Sequence, residues 1–223
     1  MFAQAVRWKK YWAAQIRPHV HGAVLEVGAG LGVNTAFLRT EHVSSWTCIE
    51  PDAELVNQIR ERFAVDSQLA DCRVQIGTVT ELGGSQTFDT ILYIDVLEHI
   101  EKDREELEHA SNLLRARGSI VVLAPAHQWL FTPFDRAVGH IRRYNKSSLL
   151  ACSPKNCTIV RLAYLDCAGL LASLANRVLL QQADPGLRQI LLWDRVLVPC
   201  SRLLDPLTLH SIGKSILAVW TKL

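Results

Sequence analysis

The residues best suited to chemistry in this chain are two acids that flank a cluster of glycines. Glu26 lies two residues before the first of three glycines, at positions 28, 30 and 32. Glycine permits a tight turn from a strand into a helix and lets a ligand touch the backbone, and the amides of that helix then face the ligand. Glu50 follows the last glycine by eighteen residues, where an acid suits the two hydroxyls of a ribose. This GxGxG spacing differs from the GxGxxG of dinucleotide folds, and Glu26 favours a cationic ligand over a pyrophosphate.

A second group of candidate residues follows the fourth strand predicted below. Asp95, Glu98 and His99 have the spacing that would place them on one face of a helix. Their carboxylates and imidazole could hold a divalent cation, with His127 as a further ligand. The alternative is that Glu98 and His99 only cap and pack the local structure, so the sequence leaves a metal site open.

The stretch from residue 124 to 144 concentrates aromatic, charged and histidine side chains. A segment that only connects two elements is usually short and polar. Arg142 and Arg143 could bind a carboxylate or phosphate. Alternatively, Asp135 could form an ion pair with an arginine and fix the conformation of the loop. With one tyrosine from the N-terminal helix, the candidate substrate-binding residues are Tyr11, Trp129, Asp135, Arg142, Arg143 and Tyr144.

These residues must be positioned by alternating strands and helices. Apolar runs predict five strands, at residues 23–27, 46–49, 72–76, 88–94 and 119–124. Helices are predicted at residues 2–17, 34–39, 54–63 and 103–114. The alternation indicates a doubly wound α/β fold, in which a mostly parallel sheet has helices on both faces. Ligands of such sheets bind beyond the carboxyl ends of the strands.

The last third of the chain is more apolar. Strands are predicted at residues 158–165 and 215–220, and between them lies an apolar helical insertion. One predicted stripe contains Leu170, Leu171, Leu174, Val178 and Leu179, and a second contains Leu187, Ile190, Leu191, Val196, Leu197 and Leu203. These stripes indicate either ordinary core packing or a lid over an apolar substrate.

Composition favours one globular domain over residues 1–223, with an N-terminal helix (1–18), a ligand-binding core (19–150) and the C-terminal part (151–223). Of the 223 residues, 49% are hydrophobic and 21% charged, which excludes wholesale disorder. A net charge of +2 argues against nucleic acid as a partner.

Residues 118–134 form the longest uncharged run and are too short to span a bilayer, although peripheral membrane contact is possible. With no signal peptide and six irregularly spaced cysteines, a cytoplasmic location is expected.

The runs LEVGAGLG, IEPD and FDTILYIDVLEHI resemble those of class I S-adenosylmethionine-dependent methyltransferases of the bacterial small-molecule type. The resemblance covers about residues 20–150 and returns weakly at the last strand. It implies a Rossmann-like sheet of seven strands with a reversed final hairpin. It also implies S-adenosylmethionine as cofactor and S-adenosylhomocysteine as product.

The resemblance assigns a role to each matching position. Glu26 would support the methionine-binding loop, Glu50 would hold the ribose hydroxyls, and Asp95 would line the methionine end. Where family members often carry an acid near the adenine, this chain has Thr78. The implied cofactor site comprises Glu26, Gly28, Ala29, Gly30, Gly32, Glu50, Pro51, Thr78, Asp95 and Val96.

The acceptor that we expect is a hydroxyl or carboxylate of a small, fairly apolar or lipid-linked metabolite. A hydroxyl acceptor benefits from a general base, for which the candidates are His127, His140 and His99. His127 lies nearest the end of a strand, where the backbone is best fixed. Two alternatives stay open: an RNA-ribose 2′-O-methyltransferase with a metal site, since some such enzymes carry a similar ExxEH run, and a non-catalytic cofactor-binding subunit. The sequence does not indicate the oligomeric state.

Overall fold

The central sheet of the protein has seven strands, and the computed structural model describes residues 4–83, 86–175 and 186–223. The strands are β1 (Gly22–Val27), β2 (Val43–Glu50), β3 (Arg73–Ile76), β4 (Phe88–Ile94), β5 (Leu114–Pro125), β6 (Cys157–Leu165) and β7 (Ser215–Lys222). Their order is β3-β2-β1-β4-β5-β7-β6, and only β7 runs antiparallel to its neighbours. The predicted doubly wound fold with a reversed final hairpin is therefore confirmed.

Helices cover both faces of this sheet. They are α1 (Val6–Ile16), α2 (Thr35–Leu38), α3 (Ala53–Ala64), α4 (Asp103–Asn112), α5 (Pro133–Ala137), α6 (Lys146–Leu150), α7 (Cys167–Ala175), α8 (Leu187–Leu192) and α9 (Val198–Leu207). One core cluster joins the sheet to α1, α3, α8 and α9, and the other joins it to α4 and α6. The central strands are buried on both faces, which explains why they read as continuous apolar runs.

Most predicted boundaries agree with the structure to within three residues. The opening helix begins later than predicted among the described residues, at Val6, and continues into a 3₁₀ turn at Arg17–His19. The predicted helix 34–39 is a single turn, and the helix predicted for 103–114 ends at Asn112. It ends there because β5 begins at Leu114, five residues before the predicted strand.

The insertion between β6 and β7 consists of α7 and then α8 and α9, which are joined by a π turn at Trp193–Leu197. The second predicted stripe is not one buried face, because Ile190 is 2% exposed and Leu203 is 75% exposed. A π turn lengthens the local helical repeat, so a constant period does not describe this segment. In the first stripe Leu171 is exposed, while Val178 and Leu179 lie outside the described residues.

Buried acids attach this insertion to α1. Asp205 accepts a hydrogen bond from the Tyr11 hydroxyl at 2.6 Å, and its two oxygens also accept the amides of Asp166 and Cys167. Asp194 accepts the amide of Trp8 at 2.8 Å. Among the described residues, no helix is both long and apolar enough to cross a bilayer.

Candidate active site

A tight turn of three left-handed glycines connects β1 to α2. Gly28, Gly30 and Gly32 have φ angles of 61°, 57° and 64°, which glycine adopts without a steric penalty. A Cβ atom placed on Gly28 would lie 2.8 Å from Cγ2 of Val96, so a side chain cannot fit there. A Cβ atom on Gly30 would meet nothing closer than 4.0 Å. The backbone at Gly30 is thus open to close approach by a ligand.

Glu26 lies beneath this turn and is only 2% exposed. Its Oε2 atom accepts the Thr35 hydroxyl at 2.6 Å and the Trp46 indole N–H at 3.0 Å. Burial raises the pKa of Glu26, while the hydrogen bonds from Thr35 and Trp46 oppose that rise. Because Glu26 ties the first residue of α2 to β2, it supports the turn from below rather than facing a ligand directly.

Glu50 lies at the carboxyl end of β2, beside the glycine turn. One of its oxygens accepts the Gly30 amide at 2.9 Å, and the other accepts the Asp52 amide at 3.2 Å. A carboxylate has about four acceptor positions, so two remain for other donors. The exposed Pro51 follows. Thr78, just after β3, donates its amide and its hydroxyl to Glu81.

Asp95 directly follows β4 and has a φ of 55°, and its amide donates to the Leu123 carbonyl at 2.8 Å. Its backbone is left-handed, which is uncommon for a residue other than glycine and typical of functional sites. The Asp95 side chain is exposed at this edge of the sheet.

Lys9 is a site residue that the sequence did not reveal. Its Nζ atom donates to Oδ1 of Asn34 at 2.9 Å, at the end of the glycine turn. Burial lowers its pKa, while the charges of Asp95 and Glu26 oppose this. On the sequence Lys9 is one of several basic residues in an amphipathic helix, a pattern typical of a solvated face, so no local signal identifies it.

The predicted Asp95, Glu98 and His99 do not share a helix face. The segment Leu97–His99 is a 3₁₀ turn, and the left-handed Asp95 precedes it. The structure groups Glu98 and His99 with His140, and a ligand atom from each lies within 4.8 Å of the others. The predicted partner His127 is not in this group.

Glu98 is fully buried, and neither of its carboxylate oxygens has a hydrogen-bond partner among the described residues. Nε2 of His140 lies 3.7 Å from Oε1 of Glu98. Burial and the charge of Asp95 raise the pKa of Glu98 well above the ordinary value. The His99 ring packs edge-on against the His140 ring at 4.8 Å, and burial together with the charge of His140 lowers the pKa of His99.

Asp135 is the centre of the loop that carries His140. Its carboxylate accepts Nδ1–H of His140 at 2.9 Å, Nε and Nη2 of Arg143 at 2.9 Å each, and the amide and hydroxyl of Thr132. Burial alone would raise the pKa of Asp135. The hydrogen bonds from His140 and Arg143 outweigh this effect and hold that pKa far below the ordinary range. The expected ion pair between Asp135 and an arginine is present.

The other predicted residues of this loop also have partners within the protein. Nε2 of His127 is 3.0 Å from the Gly213 carbonyl, and its ring stacks on Tyr164 at 4.9 Å. Arg142 donates to Asp103 at 2.6 Å, and the buried Tyr144 hydroxyl donates to the same carboxylate at 2.8 Å.

Trp129 is the most open of the predicted acceptor-binding residues, with 46% of its surface exposed. Tyr11 by contrast is buried. Direct contact with an acceptor stays a prediction for all six of these residues.

The chain is similar to known methyltransferases in sequence and in fold. A family model described as a methyltransferase domain matches residues 25–120. The YcgJ protein of Bacillus subtilis superposes with a TM-score of 0.63 at 16% identity, covering 95% of this chain and 97% of that one. The N-methyltransferase NodS of Bradyrhizobium japonicum, solved with S-adenosyl-L-homocysteine, gives a TM-score of 0.61 at 13% identity, covering 98% and 88%.

Coclaurine N-methyltransferase, bound to N-methylheliamine and S-adenosylhomocysteine, gives a TM-score of 0.63 at 15% identity, covering 98% of this chain and 72% of that one. Identities this low show a shared fold. The family match lies on the strands and turns that carry the glycine turn, Glu50 and Asp95. Residues 25–120 therefore match a methyltransferase domain, and the chain shares the fold of methyltransferases of known structure.

Proposed function

We propose that the protein transfers a methyl group to a hydroxyl of a small, fairly apolar acceptor, with His140 as the general base. The observation that carries this proposal is the pairing of His140 with the buried Asp135, beside Glu98. A nitrogen acceptor that is already neutral needs no such base, whereas a hydroxyl must lose its proton during transfer.

The cofactor would lie across the glycine turn. S-adenosylmethionine supplies a methyl group on a cationic sulfur. The open backbone at Gly30 admits a close ligand, and Glu50 has acceptor positions left for two ribose hydroxyls. Lys9, held at Asn34, is placed to pair with a ligand carboxylate, and Asp95 offers negative charge to a ligand cation.

The hydrogen bond to Asp135 defines the role of each nitrogen of His140. Because Nδ1 donates its proton to Asp135, Nε2 is left with a lone pair and can accept the proton that an acceptor hydroxyl releases. The buried carboxylate of Asp135 would stabilise the imidazolium that results.

The loop contacts favour a hydroxyl over a carboxylate acceptor. A carboxylate would need a free cation to bind it, yet Arg143 pairs with Asp135 and Arg142 with Asp103. The same loop presents exposed apolar side chains, among them Trp129 and Ile141, and these would suit an apolar or lipid-linked body.

A second candidate function is methylation of an RNA ribose with a divalent cation. It is favoured by the grouping of Glu98, His99 and His140, which could hold such an ion. The net charge of +2 argues against it, since RNA binding relies on an excess of basic residues.

The two candidates are separated by an assay that follows tritium from labelled S-adenosylmethionine into matched acceptors. We would compare an alkylphenol, the corresponding alkylbenzoate and alkylaniline, and total RNA, each with and without a chelator. We expect label in the phenol, unaffected by the chelator. Label only in the aniline would contradict the hydroxyl assignment, and chelator-sensitive label in RNA would establish the second candidate.

The base is tested by His140→Gln, with His127→Gln as the matched control. We expect the first variant to lower kcat about 10²-fold or more with unchanged affinity for S-adenosylhomocysteine. The control should keep kcat, because the His127 ring is engaged with Gly213 and Tyr164. Full activity in His140→Gln would refute the assignment.

A further inference from the structure

The segment from α8 to α9 exposes a row of apolar side chains on the side opposite the core. Leu192, Val196, Leu203 and Leu207 are 61%, 48%, 75% and 79% exposed. Residues two apart in a helix point to roughly opposite sides. Each of these four side chains lies two residues from a buried one, and the buried ones are Ile190, Asp194, Val198, Ser201 and Asp205. We call these four side chains the leucine face. Large apolar side chains are usually exposed singly, so a contiguous row indicates an interaction surface.

The exposed charged side chains of residues 186–209 all have one sign. Arg188, Arg195 and Arg202 are exposed in the same segment. The acids of residues 186–209, Asp194 and Asp205, are both buried and hydrogen-bonded to α1. The inward placement of both acids leaves an outer surface of leucines and arginines.

The adjoining helix extends this pattern. The guanidinium of Arg7, in α1, donates to the Arg195 carbonyl at 3.2 Å. Val6 and Lys10 of the same helix are exposed, and α1 contains no acidic residue. Two neighbouring helical segments therefore present apolar and cationic side chains together.

We propose that the leucine face docks onto an anionic lipid bilayer, with its apolar side chains at the acyl boundary and the arginines among the headgroups. An apolar row flanked by cations is the arrangement of helices that lie in the plane of a membrane interface. Charge complementarity selects this occupant, because anionic headgroups pair with arginines. A second copy of the chain, stacked face to face, would bring arginines against arginines. The docking does not depend on the chemistry of the acceptor.

The test is sedimentation of the full-length protein with two kinds of vesicle: phosphatidylcholine alone, and phosphatidylcholine with phosphatidylglycerol. We expect binding to the anionic vesicles that weakens as salt is raised, since headgroup attraction is screened. Leu203→Ser with Leu207→Ser should weaken this binding at least tenfold. Arg188→Gln with Arg202→Gln should also weaken it, and should remove the preference for anionic lipid.

The matched control is Val65→Ser, which changes an apolar side chain that is 87% exposed elsewhere on the surface and should leave binding unchanged. Each variant is checked for an unaltered melting temperature and for its mass in solution. No association with anionic vesicles, or an equal loss in the control, would overturn the proposal. A lipid-free dimer that the leucine variants dissociate would identify the face as an interface between copies instead.

Discussion

Replacing Asp135 by Asn tests the reasoning about the loop that carries His140. The substitution keeps the shape of the side chain but turns one acceptor oxygen into a donor. Asp135 accepts hydrogen bonds from His140, Arg143 and Thr132, so at least one of these donors loses its partner and the buried guanidinium loses its countercharge. Removing one partner of a buried ion pair costs about 3–5 kcal/mol.

That loss is large against a total stability of roughly 5–15 kcal/mol. For a chain of this length, each kcal/mol shifts the melting temperature by about 2–4 °C, so Asp135→Asn should melt roughly 10 °C lower. Denaturant titration followed by tryptophan fluorescence gives the free energy of unfolding directly. The control is Glu105→Gln, which breaks an exposed pair with Lys102 and should cost less than about 1 kcal/mol.

The pH dependence adds an independent check on the same substitution. The folded pKa of Asp135 lies below its unfolded value, which is about 3.9. The stabilisation from this ionised carboxylate is therefore complete above about pH 4 and is lost as the pH falls further. The difference in stability between the unchanged protein and Asp135→Asn should narrow in acid. A loss below about 1 kcal/mol at neutral pH, or a difference that does not narrow in acid, would refute the buried pair.

Two further predictions concern the cofactor site. Glu50→Ala should weaken S-adenosylhomocysteine binding at least tenfold, as measured by calorimetry. The reason is that each charge-assisted hydrogen bond contributes about 1.5–3 kcal/mol. An unchanged dissociation constant would exclude Glu50 from ribose binding. Gly28→Ala should lower the free energy of unfolding by about 1 kcal/mol or more and abolish cofactor binding, because its φ of 61° and its closeness to Val96 exclude a Cβ atom. Gly186→Ala is the matched control for the second variant, since its Cβ would meet nothing within 4 Å and its φ is −61°.

The part of the site that could be predicted from the sequence is built from local signals. The strand β1, the glycine turn and the acid that ends β2 occupy fewer than thirty consecutive residues, and their spacing is set by strand length and turn geometry. The mostly parallel sheet followed from the alternation of strands and helices, because parallel strands need crossover helices. The Asp135–Arg143 pair also lies within one loop, and so it could be foreseen.

What the sequence did not reveal depends on contacts between distant segments. Glu98 lies close to His140, which is 42 residues further along the chain. Lys9 donates a hydrogen bond to Asn34, which is 25 residues further along. His127 is close to the end of β5 in sequence, yet its ring turns towards Tyr164 of β6. The exposed leucines of α9 recur at the same helical period as the apolar residues of a core helix. The sequence therefore does not show which side of α9 is buried, because that depends on packing against the rest of the fold. Spacing within one element cannot encode these placements.

The proposed S-adenosylmethionine site consists of the glycine turn and Glu50. It can be tested by isothermal titration of S-adenosylhomocysteine into the unchanged protein, with NADH titrated under the same conditions. We expect saturable heat with a dissociation constant in the micromolar range, equivalent to about −8 kcal/mol, and no heat from NADH. Binding of NADH with no heat from S-adenosylhomocysteine would contradict it.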